Sequence, residues 1–426
     1  YATSGLETPL TYLLLAAFLV RLLSGRAGPR HLLGLTALAG LGMLNRLDTA
    51  LLFGPALAWA YGTHLRAGVV SPGRGLGLAA LGLAPLACWE AFSLVYYGAL
   101  FPNTAYAKLG TGIPAAELWG QGLRYLLDSL GRDPVTLAAI AGGIALAAAR
   151  REARGLAVAA GALLYVAYTV KVGGDFMSGR FLGPPLLCAA VLAGTTPLRP
   201  AVAGAALAGV LAAGAVPAAS PLTSGADYAD RRIVHGIADE RGYYFRALGL
   251  LNGRPGPKPP AAYPDARGGD RFRALTEAGV SFIAVPDPAR GWAYRELPPR
   301  RPPLGLVLEG RVGVFGYHVG PRVHVLDVLA LTDPFLARLP AKGSVTGAWR
   351  IGHFDRAVPM GYPESILQGT NRMTDPAYAA LYEDLRRATR GPLFTAARWA
   401  AIWRLNTGAH RGLPAPPLSP RSGGAP

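Results

Sequence analysis

Charge is scarce in this 426-residue chain, and cysteine is nearly missing. Asp, Glu, Lys and Arg make up 16% of it against 51% hydrophobic residues, too little charge to clothe an all-soluble surface. Two cysteines, Cys88 and Cys188, both lie in apolar stretches, which excludes a disulfide framework and a thiolate metal site. The seven histidines are dispersed, with no pair at zinc-ligand spacing. A Gly-x-Ser-x-Gly elbow and a Gly-rich nucleotide loop are also missing. Acidic residues number 25 against 42 basic ones, a net charge of +17. No nucleic-acid recognition motif accompanies that charge, so anionic lipid head groups or a phosphate-bearing substrate are the partners it fits. The first residue is Tyr1, not Met; the chain reads as starting part-way through an element, with more sequence expected upstream.

What is present is hydrophobic and interrupted. Apolar runs fall near residues 9–23, 31–45, 49–64, 76–97, 134–149, 155–170, 181–195 and 201–218. Several are shorter than the ~20 residues of a perpendicular membrane helix. Runs such as 134–149 nevertheless have no polar face with which to sit in a soluble bundle. The expected fold class is a polytopic α-helical membrane protein with a C-terminal extracytoplasmic α/β domain. Its transmembrane module of about eight helices covers residues 1–219, the outer domain 220–412 and a disordered tail 413–426. Short loops carrying Arg26, Arg30, Arg66, Arg74, Arg150, Arg151, Arg154 and Arg199 go to the cytoplasm by the positive-inside rule. The intervening ends and the C-terminal domain then face outward.

Four polar clusters fall on those outward ends: residues 3–8, 45–48, 101–108 and 173–180. Acidic groups at a bilayer rim are costly and usually functional. Glu7 reads equally as a helix-start carboxylate or as a group orienting a sugar. Asp48, two residues after Arg46, is a local ion pair or a site carboxylate. Asp175 follows Gly173 and Gly174 and precedes Arg180 by five residues; glycine lets backbone approach a ligand, and Arg holds phosphate bidentately. The alternative is a tight loop with a capping Asp. Asn103 and Tyr106 suit sugar hydroxyls and Lys108 a lipid phosphate, unless they form an ordinary interfacial belt. This third cluster is read as part of a long loop, about 98–133.

In the C-terminal half, Asp227–Leu251 reads as a helix, 251–264 as an exposed loop, and 270–285 as a helix leading into a strand. Val307–Val325 alternates like strands, with turns at Gly310, Gly313 and Gly316. Residues 333–339 and 375–405 read as helices, the last two separated at Gly391-Pro392.

The segments TSGLETPL (3–10), NRLDT (45–49), LFPNTAYAK (100–108), GGDFMSGRF (173–181), DVLALTDPFLARLP (327–340), GHFDR (352–356) and TNRMTDPAYAALYEDLRRATRGPLF (370–394) together resemble the GT-C membrane glycosyltransferases. Within them the likeness is to the terminal arabinofuranosyltransferases of mycobacteria, and it covers nearly the whole chain. The resemblance implies a bacterial inner-membrane enzyme that moves a sugar, arabinofuranose, from a polyprenyl-phosphate donor (decaprenyl-phosphoryl-arabinose) to a cell-envelope glycan such as arabinogalactan. It implies a catalytic acidic pair in the first outer loop, expected upstream of Tyr1. The catalytic residues of this chain are therefore unknown, and the isolated chain is expected to be inactive. Supporting roles fall to Asp175, Glu7 and Asp48, and substrate-binding roles to Arg180, Lys108, Asn103, Tyr106 and Arg46. Trp349, Tyr362, Trp399 and Trp403 are candidates for stacking on acceptor sugars. No metal ligand set is assigned; a divalent cation is the one cofactor compatible with the resemblance. Two rivals are a relative using another prenyl-linked sugar such as mannose, and a transporter, whose charges would sit at helix centres.

Overall fold

The computed structural model describes residues 6–24, 27–217, 233–240, 242–243, 264–287, 291–310, 312–343 and 349–416. The chain divides into two compact units, one of Tyr1–Ala91 with Ala115–Arg246, the other of Phe92–Pro114 with Ala247–Pro426.

All eight apolar runs are helices of the first unit or lead out of it: α1 (Thr8–Ser24), α2 (Pro29–Asn45), α3 (Ala50–Arg66), α4 (Pro72–Tyr96), α7 (Pro134–Arg150), α8 (Ala153–Lys171), α9 (Gly183–Gly194) and α10 (Pro200–Ala215). Prolines at the first turns of α2, α7, α9 and α10 fit there, because those N–H groups lack intrahelical partners anyway. Asp133 caps α7 by accepting from the Val135 and Thr136 amides. Among the described residues, two helices are long and apolar enough to cross a membrane, α4 and α8. A third candidate is α7 taken with α6 (Ala115–Arg132), the two bent by 109° across a short break.

The expected loop at 98–133 is mostly helix, α5 (Asn103–Leu109) and α6. Helix α6 carries charge among its apolar residues, so hydrophobicity is segregated to one face and no apolar run marks it. It buries Gln121, Gly122, Tyr125 and Ser129.

The core of the first unit is built from Leu15, Phe18, Leu19, Leu22, Leu32, Leu35, Phe53 and Tyr165. The Phe18 and Phe53 rings meet edge to face, 4.9 Å apart. Helices α3 and α8 approach closely at Gly161, where a Cβ would lie 2.4 Å from the Leu52 carbonyl oxygen. Within the helix expected at 227–251, residues 233–238 instead form a hairpin, β1 (Ile233–Val234) and β2 (Ile237–Ala238), while residues 240, 242 and 243 are helical. His235 and Gly236 both adopt left-handed φ, 50° and 76°, as the tight hairpin turn requires; residues 227–232 and 244–251 lie outside the described ones.

In the second unit β3 (Phe282–Asp287), β4 (Gly291–Glu296), β5 (Gly305–Glu309) and β6 (Val323–Asp327) form one sheet in the order β4-β3-β5-β6. β4 is antiparallel to β3, whereas β3, β5 and β6 run parallel. Parallel neighbours need a crossover. The segment expected as alternating strand with turns supplies it, α12 (Val312–Val319) lying between β5 and β6. With α11 (Pro264–Glu277) it packs Phe272 and Phe315 against Phe282. A second core gathers Phe335, Tyr362, Tyr378, Leu381 and Ile402 from the loop after β6 and from α13 (Tyr362–Gln368), α14 (Pro376–Arg390) and α15 (Ala396–Thr407).

Candidate functional site

Three helix junctions of the first unit converge on one charged cluster. Glu7 immediately precedes α1. Arg46 terminates α2 in an extended conformation, its amide bonded to Gly42 O, and Asp48 lies in the single 3-10 turn that leads into α3. Asp175 and Arg180 sit between α8 and α9. Asn45 ties two of the junctions, donating to Thr11 Oγ1 at 2.8 Å and to the Glu7 carbonyl at 3.3 Å.

Arg46 is fully engaged. Its Nη1 lies 2.6 Å from Glu7 Oε1, its Nε donates to Asp48 Oδ1 at 3.0 Å, and Nη2 pairs with Asp48 Oδ2 and with Tyr165 Oη at 3.2 Å. Tyr165, fully buried on α8, also donates to Asp48 Oδ2 at 3.1 Å. Arg180 differs. Its Nε donates to Asp175 Oδ2 at 2.6 Å, while its Nη1 stands 3.9 Å from Glu7. Among the described residues its Nη groups make no hydrogen bond. The Phe181 ring takes both guanidinium groups, Arg46 at 4.8 Å and Arg180 at 5.2 Å from its centre, an arrangement that favours cations over a ring face.

The five charged groups comprise two guanidiniums and three carboxylates, a net charge of −1 when all are ionised. The Asp175 and Arg180 side chains are 3% and 9% exposed and Glu7 is 30% exposed, so Glu7 is the member most open to solvent. Burial pushes the Glu7 carboxyl up, but its backbone hydrogen bond and the Arg46 and Arg180 charges outweigh this and hold it below its ordinary range.

The loop presenting Asp175 is braced from α6. Gly173 and Gly174 have φ of 88° and 75°, and a Cβ on Gly174 would lie 2.5 Å from Tyr125. Tyr125 Oη donates to Met177 O at 3.0 Å and accepts from the Phe181 amide at 3.1 Å. Ser178 donates to Asp128 at 2.6 Å, and the hairpin pairs with the loop through Ser178 N to Ala238 O at 2.9 Å. Sequence reasoning missed Tyr165, Phe181 and Tyr125. Two tyrosines in the mostly apolar α8, Tyr165 and Tyr168, were a signal for the first, though not for its partner.

Asn103, Tyr106 and Lys108 belong to the second unit and are described within it. Asn103 directs its amide hydrogens to Ala330 O and Leu331 O, at 2.9 and 3.0 Å. Tyr106 lies under the Arg338 guanidinium, 4.5 Å from the ring centre. Lys108 is half-buried on α5. Asp327 and Asp333 of the DVLALTDPFLARLP stretch bind backbone: Asp327 accepts from the Leu329 and Thr332 amides, Asp333 from those of Phe335 and Leu336. Arg356 of GHFDR donates to Phe354 O and Ala107 O, both at 2.6 Å. Tyr362, expected as a sugar platform, is core: it is 4% exposed, stacked on Phe335 and bonded to Asp333. Among the described residues, no group of three or more His, Cys, Asp or Glu is placed to hold a metal ion.

The first unit therefore holds an apolar helical bundle with a compact acid–guanidinium cluster, Glu7, Arg46, Asp48, Asp175 and Arg180, at its helix ends. The chain is similar to a terminal β-(1→2)-arabinofuranosyltransferase of Mycobacterium tuberculosis, 28% identical over 420 residues that cover 84% of this chain and 64% of that protein. A protein of the same name from Corynebacterium glutamicum is 33% identical over 129 residues, 26% of this chain and 18% of the relative. The chain thus spans less than two thirds of the curated relatives' length. No protein-family model matches it, and no solved structure does.

Proposed function

We propose that this chain is the core of a membrane-embedded glycosyltransferase of the GT-C type, which moves arabinofuranose from a polyprenyl-phosphate donor to a cell-envelope glycan on the outer face of the bacterial inner membrane. The observation that carries the reading is the convergence of Glu7, Arg46, Asp48, Asp175 and Arg180 at three ends of apolar helices; the similarity to two arabinofuranosyltransferases supports it.

The chemistry follows from the charges. Glycosyl transfer passes through a sugar with oxocarbenium character, and a cluster of net charge −1 stabilises positive charge developing beside it. Arg46, held on both sides by carboxylates, fixes Glu7 and Asp48 as acceptors for sugar hydroxyls. Arg180 keeps Nη donors for the departing phosphate, and Asp175 sets its orientation. Glu7, ionised and the most open of the five, orients the donor or acceptor hydroxyl. Charges gathered at helix ends rather than helix centres favour a transferase over a transporter.

The test uses the full-length enzyme with a synthetic polyprenyl-phosphoryl arabinofuranose. Arg180→Ala is expected to lower transfer at least ~100-fold, the scale of a lost oxyanion-type donor, with Arg180→Lys recovering part of it. Near-normal turnover by Arg180→Ala would refute the assignment, and equal or better use of a mannosyl donor by the unaltered enzyme would refute arabinose.

A further inference from the structure

Helix α15 is partly inverted. Of its two arginines, Arg398 is 1% exposed, whereas Trp403 is 71% exposed and Phe394, just before the helix, 81%; Ala401, Ile402 and Leu405 are buried in the ordinary way. A soluble surface helix places these residue types the other way round. The inversion is structural, since Arg398 serves as a bolt: its guanidinium donates to Leu393 O, Ala388 O and Tyr96 O at 3.2, 2.7 and 3.0 Å. With the cation drawn in, Trp399 and Trp403, one turn apart, share the outer face with Ala396 and Ala400.

Two observations say what that face meets. It is continuous with the end of α4, one of the helices long and apolar enough to span a membrane. The Tyr96 carbonyl takes Arg398, Asn406 donates to Gly98 O at 2.9 Å, and there exposed Phe92 stacks on Tyr96 while Tyr97 meets both rings edge-on. The surroundings are also basic: of the six arginines between Leu385 and Gly412, Arg398 is buried and Arg386 and Arg404 pair with Glu383 and Asp384, which leaves exposed Arg387, Arg390 and Arg411. Indoles beside cations at the mouth of an apolar helix match the head-group layer of an anionic bilayer.

We propose that α15 and the end of α4 form a lipid-docking surface, with Trp399, Trp403 and Phe394 seated among the head groups of an anionic membrane. A carbohydrate platform fits the face less well, because alanines rather than hydrogen-bonding side chains lie between the indoles. The proposal rests on the membrane reading of α4 for its continuity argument, and the test separates the two.

The full chain is reconstituted into phosphatidylglycerol–phosphatidylethanolamine vesicles containing lipids spin-labelled at the head group or deep in the acyl chain. A fluorescent thiol probe is placed at position 403 (Trp403→Cys, Cys88→Ala), at position 317 (Tyr317→Cys, Cys88→Ala) or on native Cys88; Cys188 is buried and stays unlabelled. Tyr317 is 83% exposed in the same unit and serves as the aqueous reference. The position-403 probe is expected to lose at least ~half its emission to head-group spin labels, consistent with a seat about 5–10 Å into the interface, while the position-317 probe is unaffected. Phe394→Cys repeats the measurement should Trp403→Cys fail to fold. Quenching at 403 no greater than at 317 overturns the proposal, even if Cys88 is quenched by deep labels and α4 therefore spans the bilayer. Unquenched Cys88 with quenched 403 overturns the reading of α4 and supports the docking surface. Protection of the 403 thiol by soluble arabinan, without lipid quenching, overturns it in favour of sugar binding.

Discussion

Gly174 offers a test in which steric and conformational costs separate. Its φ is 75°, and a Cβ would meet Tyr125 Cβ and Cγ at 2.5 Å, atoms at the root of a buried side chain on α6. Gly179 in the same loop has φ 71° but open space around its Cβ position. Alanine at 179 therefore incurs only the left-handed penalty, about 1–2 kcal/mol. At 174 it adds an overpacking cost of about 1–3 kcal/mol, for roughly 2–5 kcal/mol together. At about 2–4 °C per kcal/mol for a unit of this size, Gly179→Ala is expected to lower the melting midpoint by about 2–8 °C. Gly174→Ala should lower it by about 4–20 °C. Thermal unfolding of the detergent-purified protein measures both. Because Asp175 follows the clash directly and positions Arg180, Gly174→Ala should also lose transfer activity beyond its stability loss. Equal midpoints for the two variants would refute the account of how the loop is braced.

Further outcomes follow from the second unit. Burial holds the Asp333 carboxyl up at about 6, against the opposing effect of the backbone amides and the Tyr362 hydroxyl. A folded value above the ordinary 3.8 means that the folded state binds the proton more tightly, so stability falls as pH rises between those values, by roughly 3 kcal/mol in all. Asp333→Asn keeps the acceptor oxygen and should flatten the dependence of unfolding midpoint on pH; an unchanged slope would count against it. Asn103→Ala removes two hydrogen bonds to the loop after β6 and leaves two carbonyls unpaired, so it should cost about 1–3 kcal/mol of stability. A variant of normal stability with a raised substrate KM would show that Asn103 serves the ligand instead.

The helices of the first unit were legible because apolar runs bounded by Gly, Pro and Arg leave few alternatives. The meeting of residues 7, 46, 48, 175 and 180 was legible for a topological reason, since successive antiparallel spans return every second end to the same side. Helix α6 was hidden because its apolar residues recur at helical spacing on one face of a polar helix rather than forming a run. The α12 crossover was misread since Gly310, Gly313 and Gly316 look like turn signals, yet a three-residue spacing suits a helix equally well. Nothing local marks Arg398 as buried or Tyr165 as a partner of Asp48, for both depend on residues far away in sequence.

The contact at Gly161 reaches further than its size suggests. Tyr165 lies one turn along the same helix, and its hydroxyl bridges Asp48 across the seam between α3 and α8. Within lipid, such seams are held by close backbone contact rather than by solvent exclusion. Any side chain at 161 would act as a shim, prising the seam open and drawing Tyr165 off its 3.1 Å bond. The spacing of the charged helix ends is thus gauged by a missing methyl group one turn away.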